Sequence, residues 1–428
     1  MLQREVLPNG VRVVTENITY VQSVALGIWV GVGARDESDR LRGISHVIEH
    51  MLFKGTPTRT ALQIADQIDS VGGDINAFTS KESTCYYVRM LSEHVPLAID
   101  VLCDMFLNSV VDPEELAREQ NVILEEIKRR DDEPDDLVHD VFAEAMWPGH
   151  VLGKSVIGTP ETVSGLTSLD LKDYMASRYT PDTIVAAAAG NLNHAEIVAM
   201  VEERLGHLEG KKSDWRAPDA APQFTPATAY VEKPIEQVNL VLGVPGYSQL
   251  SDDKYKLSIL DNILGGSMSS RLFQEIREKR GLAYSIGSFA QSFREGGYFA
   301  VYSGTGAKTA NQVIDLVKAE FANVRKNNIT EKELDRAKNQ FRGSIVMSQE
   351  SMNSRMMRIG RNELVYDRVI PTEEVMAKIV AVSLDDVAEV AEHLFGREEY
   401  AMATVGPFAK DGPTGDAEEA NAEESLLG

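Results

Sequence analysis

The sequence predicts an α+β protein made of two homologous domains, and three observations carry that expectation. Its 428 residues exceed what one hydrophobic core normally fills. Short apolar runs, Val11-Arg12-Val13-Val14 and Ala25-Leu26-Gly27-Ile28-Trp29-Val30 among them, read as strands that give way to helical periodicity and then to further strands. The third observation is an internal repeat. Val111-Asp112-Pro113-Glu114-Glu115-Leu116-Ala117-Arg118 reads like Ile329-Thr330-Glu331-Lys332-Glu333-Leu334-Asp335-Arg336, and both run into a helix.

Each element follows from its local pattern. Met1 to Val6 leads straight into a strand, with no apolar signal core and no arginine-rich presequence. Gly43-Ile44-Ser45 opens an apolar-periodic helix that contains His46-Val47-Ile48-Glu49-His50 and exits at Gly55. Gly72 to Tyr87 ends a turn and enters a strand, with Asn76-Ala77-Phe78-Thr79 alternating along it. Asp112-Pro113 starts the next helix, whose apolar positions are Leu116, Val122, Ile123 and Ile127. Residues 206–228 are rich in Gly, Pro, Ala, Lys and Asp and lack sustained periodicity, so they are expected to link domains at 1–210 and 228–406. Residues 407–428, rich in Gly, Ala, Glu and Pro, are expected to form a disordered acidic tail.

His46 and His50 lie four residues apart and share one helix face, with Glu49 beside them. Two neutral imidazoles on one face can bind a single Zn²⁺ while the carboxylate faces the open coordination position. Such a site lacks one protein ligand. Glu119 and Glu126 are two helical turns apart and share a face, whereas Glu125 points about 100° away from Glu126. Two carboxylates on the stripe of a helix that otherwise seeks burial are costly unless engaged. Glu126 is therefore assigned as the third ligand, and Glu119 as a second carboxylate that orients a histidine or the attacking water. Glu49 takes the role of general base and then general acid in amide hydrolysis without a covalent intermediate.

In the second half the repeat puts Ala337 opposite Glu119 and Ser344 opposite Glu126. A looser register lays Tyr255 to Asp261 over the histidine helix, with Leu257 and Leu260 opposite His46 and Glu49. That half keeps the scaffold and loses the metal donors. Its Gly265-Gly266 pair precedes a helix, but no P-loop lysine accompanies it, so nucleotide binding is not expected.

The stretches Gly43 to Thr56, Gly72 to Tyr87 and Arg118 to Ile127 resemble the pitrilysin/insulinase family of zinc peptidases, the inverzincins. Within it, the processing-peptidase β subunits and their bacterial relatives are most similar, and the likeness runs from Leu7-Pro8-Asn9-Gly10 to about residue 405. The resemblance implies a processing-peptidase-like fold, in which each domain is a mostly antiparallel sheet packed with helices and the chain is half of a clamshell. It implies one Zn²⁺ per chain on His46, His50 and Glu126, with Glu49 and Glu119 catalytic. It also implies that the strand carrying Asn76 and Ala77 pairs with an extended substrate. Arg277 and Tyr284 match the spacing of a substrate-holding pair, and Tyr284 could donate to the developing oxyanion. A homodimer would bring two such chains together, with a zinc-less homologue as the alternative partner.

Composition narrows the function classes. The formal charge is −23, of which the tail contributes −5, leaving an acidic body of −18 that argues against nucleic acid and anionic membranes as partners. No apolar run approaches the roughly 20 residues of a membrane helix. The two cysteines, Cys85 and Cys103, form no disulfide framework and no C-x-x-C motif, which suggests a reducing, cytoplasmic setting. His94, His139, His150, His194, His207 and His393 lack ligand spacing and are read as packing or surface residues. Two classes remain: a zinc endopeptidase acting on unfolded peptides, and a noncatalytic structural or assembly subunit of the same fold. The complete donor set favours the first.

Overall fold

The computed structural model describes residues 1–210, 220–327, 329–409 and 412–413. Among the described residues the chain forms two compact units. Of these residues one unit comprises 1–128, 155–210 and 344–371, and the other comprises 129–154, 220–343 and 372–413. These units are discontinuous, unlike the continuous halves expected at 1–210 and 228–406. Most of the expected acidic tail and residues 211–219 of the expected linker lie outside the described residues.

The first unit is built on a six-stranded sheet of β1 (Leu2–Val6), β2 (Arg12–Asn17), β3 (Ser23–Val30), β4 (Asp74–Thr79), β5 (Thr84–Leu91) and β6 (Ile184–Gly190). Their order is β1-β2-β6-β3-β5-β4, with β2 and β6 parallel and every other pair antiparallel. One face carries a core that includes Val11, Val13, Leu26, Ile28, Ile44, Ile48, Leu102 and Ile123. The other face packs Val14, Ala25, Trp29, Val185, Ala187 and Ala189 against Met352, Met356 and Ile359 of the helix Met352–Tyr366. Small residues let that helix approach closely: a Cβ on Gly360 would lie 2.2 Å from Trp29 Nε1, and one on Gly27 would lie 2.9 Å from Met356 Sδ. Because both faces of β6 are covered, it reads as a continuous apolar run rather than an alternating one.

The second unit has a five-stranded sheet of β7 (Thr228–Glu232), β8 (Gln237–Gly246), β9 (Ala283–Ser292), β10 (Gly297–Gly306) and β11 (Ala401–Gly406). Its order, β7-β11-β8-β10-β9, with β7 and β11 parallel, repeats the pattern of β2, β6, β3, β5 and β4. One face holds Leu240, Leu242, Leu260, Phe299, Phe321 and Phe395. The other is covered by the helix Pro134–Met146, whose Val138, Phe142 and Met146 meet Val241, Tyr298, Ala300, Ala401 and Ala403. Each sheet therefore takes its second cover from the other half of the sequence. The linear repeat hides this exchange, because periodicity marks which face of a helix is apolar and not which sheet receives it.

Candidate metal centre

Helix α1 (Ile44–Leu52) follows β3 and sorts its residues by face. Ile44, Val47, Ile48, Met51 and Leu52 are buried in the core, spaced as one helical stripe. His46, Glu49 and His50 occupy the opposite stripe and are half-buried. The helix Pro113–Asp132 buries Leu116, Glu119, Ile123 and Ile127. That places Glu119 on its core stripe, while Glu125 turns out to solvent beside Lys128.

These two helices bring the expected ligands together. Glu126 Oε2 lies 3.7 Å from His46 Nε2 and 3.7 Å from His50 Nε2, and the three donor atoms all lie within 4.8 Å of one another. Ligands about 2.1 Å from a tetrahedral zinc would be separated by roughly 3.4 Å, so each Glu126–histidine pair comes within a few tenths of an ångström of that spacing. The protonation chemistry agrees. Burial, with His50 nearby, pushes the His46 imidazolium down to about 4, so the ring is neutral and can donate a lone pair at physiological pH.

The remaining acidic residues split into distinct jobs. Glu119 Oε2 is 3.0 Å from His50 Nδ1, and its Oε1 accepts from Lys54 Nζ at 2.6 Å. Burial raises the Glu119 carboxyl, but the bonds from Lys54 and His50 outweigh it and hold the group below its ordinary value. With Nδ1 facing a carboxylate, the His50 proton belongs there and Nε2 is left for a metal. Glu49 Oε2 accepts from Thr79 Oγ1 at 2.5 Å. Burial raises the Glu49 carboxyl, opposed by the Thr79 bond.

Thr79 closes β4, and β4 is an edge strand paired only with β5 among the described residues. Asn76 and Ala77 sit on this strand, and the Ala77 amide donates to Asn76 Oδ1 at 2.8 Å. The last residue of β4 thus bonds Glu49, and the side of β4 away from β5 is left as an open edge among the described residues.

Arg277 and Tyr284 belong to the second unit. The Arg277 guanidinium lies 4.8 Å from the Phe273 ring centre and 5.4 Å from that of Tyr284, and Tyr284 is 76% exposed. Arg277 rides on a π-helical turn, Phe273–Glu278, where Lys279 N reaches back five residues to Gln274 O at 3.0 Å. In the same unit the helix Asp253–Leu264 follows β8 as α1 follows β3, and Leu257 and Leu260 are buried in the core. The register puts Asp261 opposite His50, and Asp261 Oδ1 accepts from Ser288 Oγ at 2.6 Å instead of ligating. His139 meets Phe289 edge-on and stacks on Tyr302, His393 stacks on Tyr247, and His194 bonds Thr15, which are packing roles.

Two residues of the centre escape local pattern reading. Lys54 lies four residues after His50, and that helical spacing was the available signal. Thr79 reaches the centre through the fold alone.

Known proteins can be set beside this geometry. Residues 12–160 match the family described as Insulinase (Peptidase family M16), and residues 165–341 match the Peptidase M16 inactive domain. The chain is 43% identical over 407 residues to an uncharacterized zinc protease of Bacillus subtilis, YmxG, covering 95% of this chain and 98% of that one. It is 41% identical over 413 residues to an uncharacterized zinc protease of Streptomyces coelicolor, covering 95% and 90%. Among solved structures, the peptidase M16 inactive domain from Pseudomonas fluorescens superposes with a TM-score of 0.88 at 22% identity, covering 95% of this chain and 98% of that one. A protease from Helicobacter pylori gives 0.87 at 21% identity, covering 95% and 99%. At that identity the two structures speak for the fold alone.

Proposed function

Because the chain belongs to peptidase family M16, the insulinase/pitrilysin family of zinc proteases, we propose that it is a zinc endopeptidase hydrolysing peptide bonds in unfolded peptides and short polypeptides. The observation that carries this reading is the convergence of His46, His50 and Glu126 with Glu49 at their side. A Zn²⁺ held by those three residues would activate a water and polarise the scissile carbonyl. Glu49 takes the proton of the attacking water and delivers it to the leaving amine, and Thr79 holds that carboxylate in place. Glu119 keeps the His50 tautomer that leaves Nε2 free. The open edge of β4, with Asn76 and Ala77, takes the substrate as an added strand. Arg277 and Tyr284 hold the substrate, and the Tyr284 hydroxyl donates to the developing oxyanion.

The working assembly is proposed to be a homodimer acting in the cytoplasm, with a zinc-less homologue as the alternative partner; sedimentation of the purified chain distinguishes the two. Among the described residues no single helix is long and apolar enough to cross a membrane. A noncatalytic subunit would have no use for a full donor set with a carboxylate beside it.

The test is metal analysis of the purified protein together with cleavage of a peptide library. Stoichiometric zinc and chelator-sensitive cleavage of unfolded peptides are expected, while compact proteins stay intact. A zinc-loaded protein that cuts no peptide in the library would point to the noncatalytic reading. Rapid cleavage of a stable folded protein at structured positions would refute the substrate class.

A further inference from the structure

The start of α1 is held by a buried carboxylate that the chemistry above does not use. Glu37 is 7% exposed, and its two oxygens accept from Gly43 N at 2.7 Å and Ser45 N at 2.9 Å. No cationic side chain pairs with it among the described residues. The first N–H groups of a helix have no partner within the helix, and a serine, threonine or aspartate at the N-cap normally serves them. Here the N-cap is Gly43, at φ +87°. A Cβ on Gly43 would lie 2.8 Å from Ile157 O and 3.1 Å from Gly158 Cα. No capping side chain fits at 43, so the cap comes from six residues upstream.

A role in stability alone explains this choice poorly. Burial pushes the Glu37 carboxyl up to about 7 although two amides bond it, so its charge works against folding at neutral pH. A neutral acceptor would cap the helix at a lower desolvation cost.

The two histidines supply the other half of the argument. His50 Nδ1 is engaged by Glu119, whereas His46 Nδ1 is buried and has no hydrogen-bond partner among the described residues. With no acceptor behind its ring, His46 takes its position from the backbone of the first turn. The amide immediately before His46 is that of Ser45, which Glu37 holds. We propose that Glu37 is a positioning residue of the metal centre, pinning the first turn of α1 and so doing for His46 what Glu119 does for His50. The inference rests on the reading of His46, His50 and Glu126 as zinc ligands.

Two variants of the full chain test it. Glu37→Gln keeps the size and one acceptor oxygen, and Glu37→Asp keeps the charge but is too short to reach both amides. Two quantities are measured: the zinc Kd by competition with a chelating dye, and the urea midpoint of the zinc-free protein. Wild type and His46→Ala run alongside. Both Glu37 variants should unfold cooperatively at a midpoint close to wild type, with zinc Kd raised about 10- to 100-fold, as when a ligand loses its supporting partner. A Kd within about twofold of wild type in either folded variant overturns the proposal, since such a change is far below that range. Failure of both variants to fold also overturns it, because Glu37 would then serve folding. A wild-type chain that binds no zinc, or binds it independently of His46, would refute the ligand assignment itself.

Discussion

Replacing Glu119 by glutamine keeps the side chain's size and removes its charge, and the structure allows the consequence to be worked out. Glu119 is 8% exposed at its side chain and takes two donors at once, His50 Nδ1 at 3.0 Å and Lys54 Nζ at 2.6 Å. A glutamine offers one acceptor oxygen and turns an NH₂ toward the other donor, and bulk water cannot make good the loss. A hydrogen bond to a charged group is worth about 1.5–3 kcal/mol. If that support is what holds the His50 ring, and a tenfold change in affinity is about 1.4 kcal/mol, zinc binding should weaken about 10- to 100-fold. The assay is competition for zinc against a chromophoric chelator at neutral pH, read beside Lys54→Met and Glu126→Ala. The pH dependence carries a sign. The folded carboxyl lies below its ordinary 4.5, so its contribution to stability is complete above that value and is lost as pH falls through the lower folded value. An unchanged Kd in Glu119→Gln would refute the supporting role. Complete loss of zinc there, with normal zinc in Glu126→Ala, would exchange the two assignments.

Four other sets of changes probe separate parts of the reasoning. Glu49→Gln should bind zinc as wild type does and lose hydrolysis, because the amide keeps the shape and cannot take a proton; equal loss of zinc would make Glu49 a ligand. His46→Ala, His50→Ala and Glu126→Ala should each deplete zinc by metal analysis. Gly360→Ala would place a Cβ 2.2 Å from Trp29 Nε1 and push the helix Met352–Tyr366 off its sheet. It should cost about 1–3 kcal/mol in denaturant unfolding, and a neutral result would refute the packing argument. Asp261 is raised by burial to about 6, against the bond from Ser288, so folding loses stability as pH rises from 3.8 through that value. Asp261→Asn should therefore gain stability over wild type above pH 6 and not below 3.8, and an equal difference at both ends would sink the assignment.

Much of the centre is legible in the chain because it rests on helical geometry, which is local. The i, i+4 spacing puts His46 and His50 on one face, and the two-turn spacing of Glu119 and Glu126 puts both on the stripe turned to α1. Strand runs such as Ala25 to Val30 announce themselves for the same reason, since a buried strand is apolar throughout. The duplication is legible too, and the repeated strand order of the second unit follows it. The tertiary structure decided the rest. Periodicity identifies Glu119 and Glu126 as neighbours, and only the packing of the helix Pro113–Asp132 against α1 sets one 3.0 Å behind His50 and the other 3.7 Å from both imidazole tips. Thr79 meets Glu49 across thirty residues of chain, and Glu37 caps a helix whose own N-cap has no side chain. The helices Pro134–Met146 and Met352–Tyr366 each cover the sheet of the opposite half of the sequence. An amphipathic stripe specifies that an apolar face must be buried, and the choice of sheet falls to shape, to the alanines and glycines that let a helix come close.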